Sequence, residues 1–259
     1  MSARDQVAGE IIHATRELKL PTVREVFASL ADQARAEAWS HEEYLAGVLA
    51  RQIASRTTNA VNTRMTQARF PATKTLAEFD FTMIASQARD LVAHLATSTF
   101  VPKADNVILL GPPGVGKTHL AIALGREACQ HGWRVAFDSA NGWVTRLASA
   151  HQTGRLDGEL RRLDRYRLLI CDELGYLPLD AQAASLFFQL VAHRYERASI
   201  LITSNLSFAR WGETLGDEVI AAATIDRLVH HAQVITIDGD SYRTRHHRTT
   251  PTPKKEPHQ

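Results

Sequence analysis

The sequence predicts an α/β fold: a mostly parallel sheet flanked by helices, built around one phosphate-binding loop, with a small all-helical segment ahead of it. Three observations carry that prediction. Residues 107–110 are a run of four apolar residues, the signature of a strand buried on both faces. They lead directly into Gly111-Pro112-Pro113-Gly114-Val115-Gly116-Lys117-Thr118, which fits the pattern G-x-x-x-x-G-K-[ST] at every fixed position. Beyond it, apolar strand-like runs and helical stretches alternate, as they do when parallel strands are joined by crossover helices.

Composition narrows the class. With 259 residues, 44% apolar and 22% charged, the chain has the make-up of a soluble globular protein with a sizeable core. No run of about 18 apolar residues exists, so no membrane span is expected. The N-terminus, MSARDQVAGE, lacks the apolar core of a signal peptide, which predicts a cytoplasmic protein. Cys129 and Cys171 are the only cysteines and read as two buried thiols of a reducing compartment. A net charge of +2 diagnoses nothing by itself; its distribution is more informative.

Taken in order, residues 1–70 read as an N-terminal helical domain. Residues 5–19 form a first helix, and Thr22 caps a second in which Val23, Val26, Phe27, Leu30 and Ala34 recur at helical spacing. Ser40 and Glu43 form a capping box opening a third, longer helix with the apolar stripe Tyr44, Leu45, Val48, Leu49 and Ile53; Pro71 marks or follows its end. Residues 44–77 contain no acid but include Arg51, Arg56, Arg64, Arg69 and Lys74, interspersed with Thr57, Thr58, Asn59, Asn62 and Thr63. Two readings stand side by side: a solvated helix face, or contact with nucleic-acid phosphates.

Residues 71–105 read as a connector with a helix over 86–96. The nucleotide domain follows over 106–240. Its strands are expected at 107–110, 134–138, 168–172, 199–203 and 233–237, with helices at 119–130, 143–150, 181–195 and 225–231. Residues 241–259 form a basic tail rich in Thr, Pro and His, of the composition that stays disordered.

The residue types explain the chemistry. Glycines 111, 114 and 116 let the backbone turn tightly and aim successive N–H groups at an anion, and the helix that follows adds its positive end. Lys117 reaches the β/γ-phosphates of a nucleotide, and the Thr118 hydroxyl is a Mg²⁺ ligand. Residues 168–171 are a second buried run, ending in Asp172 and Glu173. Asp172 at the strand's carboxyl end suits the outer shell of Mg²⁺, and Glu173 suits a general base that activates water. Asn205 ends a third apolar run on the same rim of the sheet, where it would meet the γ-phosphate or the attacking water. Asparagine also favours strand-ending turns, and both readings remain. Arg227 reads first as a surface charge; the sharper reading is a guanidinium donated to a neighbour's γ-phosphate. The pairs His230-His231 and His246-His247 have no carboxylate or cysteine cluster at metal-ligand spacing and read as surface residues.

With these residues in hand, the chain resembles the IstB-like ATPases, helper proteins encoded beside certain insertion-sequence transposases and kin of DnaC-type helicase loaders within the AAA+ superfamily. GPPGVGKTHLA, LLICDELGYLPL, LITSN, DRLVHHAQVI and SYRTR carry the resemblance, together with FPATKTLAEFDF ahead of the core. It implies a P-loop NTPase of AAA+ type with a small N-terminal helical domain. It also implies ATP and Mg²⁺ as cofactors, ATP-dependent homo-oligomerisation on double-stranded DNA, and delivery of that DNA to the transposase of the same element. By position, Gly111, Pro112, Pro113, Gly114, Val115, Gly116, Lys117, Thr118 and His119 would bind nucleotide, and Thr118 and Asp172 the metal. Glu173 and Asn205 would be catalytic, and Arg227 the arginine finger acting across a subunit interface. The residues after Ile237 are too few for the four-helix lid usual in AAA+ proteins, and Arg243 or Arg245 would have to replace its sensor arginine. Two other functions share parts of the pattern: a replicative helicase loader, and a metabolic phosphotransferase, against which Glu173 beside Asp172 argues because it points to water as the acceptor.

Overall fold

The computed structural model describes residues 3–238. The basic tail 241–259, with Arg243, Arg245 and His246-His247, lies outside the described residues. The chain divides into two compact units between Thr63 and Arg64.

The first unit is helical: α1 (Ala3–Glu17), α2 (Pro21–Ala36) and most of α3 (His41–Ala68). Val23 and Leu30 of α2 and Val48 of α3 form its small core, with Phe27, Trp39 and Tyr44 packed against them. The expected capping box is present: the Ser40 amide donates to Glu43 Oε2 at 2.7 Å and the Glu43 amide to Ser40 Oγ at 3.2 Å. Those bonds hold the Glu43 carboxyl below its usual range. Two details differ from expectation. Thr22 does not cap α2; Leu20 is the cap position and Pro21 opens the helix. The free amides of Thr22 and Val23 are taken instead by Oε1 of Gln52, a buried side chain on α3. The apolar stripe on α3 is also narrower than its sequence suggests, because Gln52 occupies part of the inward face while Leu45, Leu49 and Ile53 remain 56%, 44% and 66% exposed.

In the second unit a connector with one 3-10 turn (Phe81–Met83) leads into α4 (Ser86–Ala96) and α5 (Phe100–Lys103). Five strands follow: β1 (Asn106–Leu110), β2 (Val135–Ser139), β3 (Leu168–Leu174), β4 (Ser199–Ser204) and β5 (Ala232–Thr236). All are parallel, in the order β2-β3-β4-β1-β5. Between them run α6 (Lys117–Gln130), α7 (Ala140–Gln152), α8 (Leu156–Leu163), α9 (Ala181–Arg194), α10 (Trp211–Leu215) and α11 (Glu218–Val229). Among the described residues no helix follows β5.

Strand residues alternate between two helical layers, as a pleated sheet requires. Val107 and Leu109 face the layer containing Leu120 and Leu124 of α6; Ile108 faces the one containing Trp143 and Leu147 of α7, Phe187 of α9 and Trp211. Each of these buried side chains removes enough apolar surface from water to contribute about 1.5–3 kcal/mol. The sequence reading missed α5, α8 and α10. It also started α11 seven residues late, overlooking Asp217, whose carboxylate accepts from the amides of Val219 and Ile220 at 2.7 and 3.0 Å.

Candidate nucleotide site

The phosphate loop leaves the end of β1, between β4 and β5. Gly111 is there because nothing larger fits: a Cβ would lie 2.1 Å from the Ile237 carbonyl oxygen. Gly116 combines φ +99° with a Cβ position 3.0 Å from the Phe79 ring. Lys117 opens α6 and curls back over the loop, its Nζ donating to the carbonyls of Gly111 at 2.7 Å and Pro112 at 2.8 Å. That geometry suspends a largely buried ammonium over the concave side of the loop, where it can trade carbonyl oxygens for phosphate oxygens.

Opposite, β3 delivers Asp172 and Glu173 through a bulge. The pairing with β4 runs Cys171↔Ile202 and resumes at Leu174↔Ser204, so two residues of β3 face the single residue Thr203. Thr203 fills the gap with its hydroxyl, which donates to Asp172 Oδ1 at 2.5 Å and accepts from the Glu173 amide at 2.9 Å. Glu173 has φ +61°, a left-handed conformation that side chains rarely adopt. The bulge buries Asp172 at 5% exposure while turning Glu173 outward. Thr118 Oγ1 donates to the same Asp172 oxygen at 3.0 Å, linking the two halves of the site. A hydroxyl and a buried carboxylate are hard oxygen ligands of the kind Mg²⁺ takes, so these residues fit the ion.

A cleft of about 640 Å³ connects these parts. It is lined by phosphate-loop residues from Pro113 onward, by His119, Glu173 and Asn205, and by three groups the sequence reading did not place there: Thr203, Tyr176 and the connector residues Lys74, Glu78, Phe79 and Asp80. The amide oxygen of Asn205 is buried with no hydrogen-bond partner, an orphan acceptor at the edge of the cleft. His119 lines the cleft but spends its ring on the connector: Nε2 lies 2.8 Å from the Thr75 carbonyl oxygen, and the ring meets Phe79 edge-on at 5.5 Å. The connector is thus a wall of the site rather than a passive link. Its one legible signal was the aromatic spacing in FPATKTLAEFDF.

The remaining candidates are dispersed. Arg227 does not line the cleft. Its guanidinium lies over the Phe188 ring at 4.9 Å and donates to the Ala223 carbonyl at 2.9 Å, one turn back on α11. Arg51, Arg56 and Arg69 are exposed. Arg64 is half-buried and donates through Nε to the Cys129 carbonyl at 2.8 Å, at the end of α6. Lys74 belongs to the nucleotide cleft. His230-His231 has the carboxylate neighbour its sequence spacing did not reveal, because Glu196 arrives from a distant turn. Both cysteines are free and buried; burial pushes the Cys129 thiol up to about 11 and, with the Asp172 carboxylate adding to it, raises Cys171 as well. Neither is a nucleophile.

Comparison with known proteins settles the family. Residues 13–250 match the family described as IstB-like ATP binding protein. The chain belongs to it. An ATP-binding protein of insertion sequence IS21 from Pseudomonas aeruginosa is 47% identical over 220 residues, covering 85% of this chain and 83% of the relative. Among solved structures, replication initiator DnaA bound to AMPPCP and single-stranded DNA superposes with a TM-score of 0.55 at 21% identity, over 66% of this chain and 52% of that one. The DnaC helicase loader gives 0.50 at 20% identity, over 71% and 99%. These two likenesses are of fold: this IstB-like protein shares with both a parallel sheet flanked by helices around a phosphate loop. Between a helicase loader and an insertion-sequence helper, the family match selects the ATP-binding helper of insertion sequences. Among the described residues no helix is long and apolar enough to cross a membrane.

Proposed function

We propose that this IstB-like protein hydrolyses ATP as a homo-oligomeric switch on double-stranded DNA. Its nucleotide state then times delivery of that DNA to the transposase of the same insertion sequence. The observation that carries the hydrolytic part is the bulge: Thr203 anchors Asp172 and the Glu173 amide at once, leaving the Glu173 carboxylate in the cleft that the phosphate loop lines.

In this reading the loop amides and Lys117 bind the β- and γ-phosphates. Thr118 and Asp172 would hold Mg²⁺, which would supply neutralisation of phosphate charge. Glu173 accepts a proton from the attacking water, and Asn205 offers its unpartnered Oδ1 to that water or its Nδ2 to the γ-phosphate. Arg227, on α11 and absent from its own cleft, acts on the nucleotide of a second copy, so that hydrolysis reports assembly. Support for nucleotide-linked DNA binding comes from the DnaA structure, which holds AMPPCP and single-stranded DNA on the same fold. Support for the transposition context comes from the insertion-sequence relatives.

The test is light scattering and phosphate release with long duplex DNA, in ATP plus Mg²⁺ and in ADP. A large assembly only with ATP and DNA, dispersing as phosphate appears, supports the switch. A protein of constant size under every condition rejects it.

Thr203 gives a sharper check. Thr203→Val deletes both bonds of its hydroxyl, leaving Asp172 Oδ1 with the Thr118 bond alone and the Glu173 amide without this acceptor, at a cost of about 0.5–1.5 kcal/mol for each lost bond. We expect phosphate release at least tenfold slower, ATP affinity little changed, and recovery in Thr203→Ser. Equal loss in the serine variant would mean that the methyl group, not the hydroxyl, matters.

For DNA, the exposed Arg51, Arg56 and Arg69 are the arginines of the acid-free stretch placed to meet phosphates, whereas Arg64 is tied to the Cys129 carbonyl and Lys74 lines the nucleotide cleft. Changing Arg51 and Arg56 to Ala should weaken binding to any duplex and lower the slope of log K against log[salt] by about 0.9 per lost contact. An unchanged slope rejects their role.

A further inference from the structure

We propose that Glu196, His230 and His231 form a binding site for a divalent transition-metal ion of the Zn²⁺ type, on the rim of the sheet opposite the nucleotide. The ligand atoms lie within 4.8 Å of one another. Glu196 Oε1 is 3.9 Å from His230 Nδ1 and 3.7 Å from His231 Nε2. Donors bound tetrahedrally at about 2.0–2.1 Å sit about 3.4 Å apart, so small side-chain rotations close the shell. The Tyr195 hydroxyl, 2.9 Å from His230 Nδ1, gives up that bond when the imidazole takes a metal. Two imidazoles and one carboxylate select Zn²⁺, Ni²⁺ or Cu²⁺ over Mg²⁺ and Ca²⁺, which prefer all-oxygen shells. All three side chains are more than half exposed, leaving a coordination position to water.

The scaffold beneath is rigid although the ligands are on the surface. Buried Asn106, at the start of β1, ties three segments together. Its amide donates to the His231 carbonyl at 2.7 Å, its Nδ2 to the Leu228 carbonyl at 3.0 Å, and its Oδ1 accepts from Ile200 at 2.9 Å. Buried Arg194 donates to the carbonyls of Tyr166 and Ser199, both at 3.0 Å, and so holds the turn from which Glu196 projects at φ +56°. The backbones that carry the ligands are therefore fixed relative to one another before any ion arrives, which lowers the ordering cost of binding. A bound ion staples the turn before β4 to the turn before β5.

The experiment is calorimetric titration of the full chain with Zn²⁺, with the nucleotide site filled by ADP and Mg²⁺. Elemental analysis after gel filtration gives the stoichiometry. We expect one Zn²⁺ per chain, at least tenfold weaker binding in Glu196→Gln, His230→Ala and His231→Ala, and no change in a His246→Ala/His247→Ala double variant. Co²⁺ should show the visible bands of a tetrahedral nitrogen–oxygen site in the wild type and lose them in His231→Ala. Because the substituted side chains are exposed, circular dichroism should be unaltered. Binding that survives all three single substitutions, or that disappears in the tail variant, overturns the proposal.

Discussion

Arg227→Ala should slow ATP hydrolysis by the assembled protein by about 10³-fold or more, with ATP affinity of the isolated chain unchanged. An arginine that meets the γ-phosphate only in the transition state accounts for effects of about 10³–10⁵ in P-loop enzymes. The structure explains why the isolated chain should be indifferent: the guanidinium rests on Phe188 and the Ala223 carbonyl and takes no part in its own cleft. Arg227→Lys should not rescue, since an ammonium lacks the planar fork. The diagnostic measurement is mixing. Arg227→Ala chains combined with chains lacking Glu173 should recover activity, because each supplies what the other lacks across an interface. Two inactive proteins that stay inactive when mixed would place Arg227 outside the reaction.

Glu173→Gln should lower phosphate release by about 10²–10⁴-fold, the range expected when a positioned proton acceptor is lost. The substitution keeps shape and the amide bond to Thr203, so nucleotide binding and folding should persist. We expect the variant to hold ATP and to accumulate as the DNA-engaged assembly. Single-turnover phosphate release, with bound ATP quantified in parallel, separates this outcome from simple failure to bind. Release at the wild-type rate would remove Glu173 from the chemistry and leave Asp172 with only a structural or ligand role.

Most of this site was readable because its parts are short and local. The phosphate loop is one contiguous motif, and Asp172 and Glu173 are neighbours at the end of an apolar run, so period and composition suffice to find them. Thr203 was not readable in its bridging role. That role depends on a one-residue slip between β3 and β4, and register is a property of two strands rather than of either sequence. The connector escaped for a similar reason: Phe79 matters because it lands on Gly116, a contact across 37 residues that no local pattern encodes. Thr22 looked like a cap because threonine often is one, yet the amides it was to satisfy are met by Gln52 from another helix. Glu196 and His231 meet only after α11 has folded back along the sheet. In each case the local chemistry was present in the sequence and the partner was set by the tertiary fold.

The left-handed backbone at Glu173 sets stability against activity at a single position. For an L-residue, that conformation costs about 1–2 kcal/mol, which glycine escapes. Glycine has a looser unfolded chain, which returns roughly half of the gain. Glu173→Gly should therefore melt at or slightly above the wild-type temperature while losing phosphate release; a clearly lower melting temperature would show that the backbone there is unstrained. A selection for thermal robustness alone would thus drift toward discarding the carboxylate.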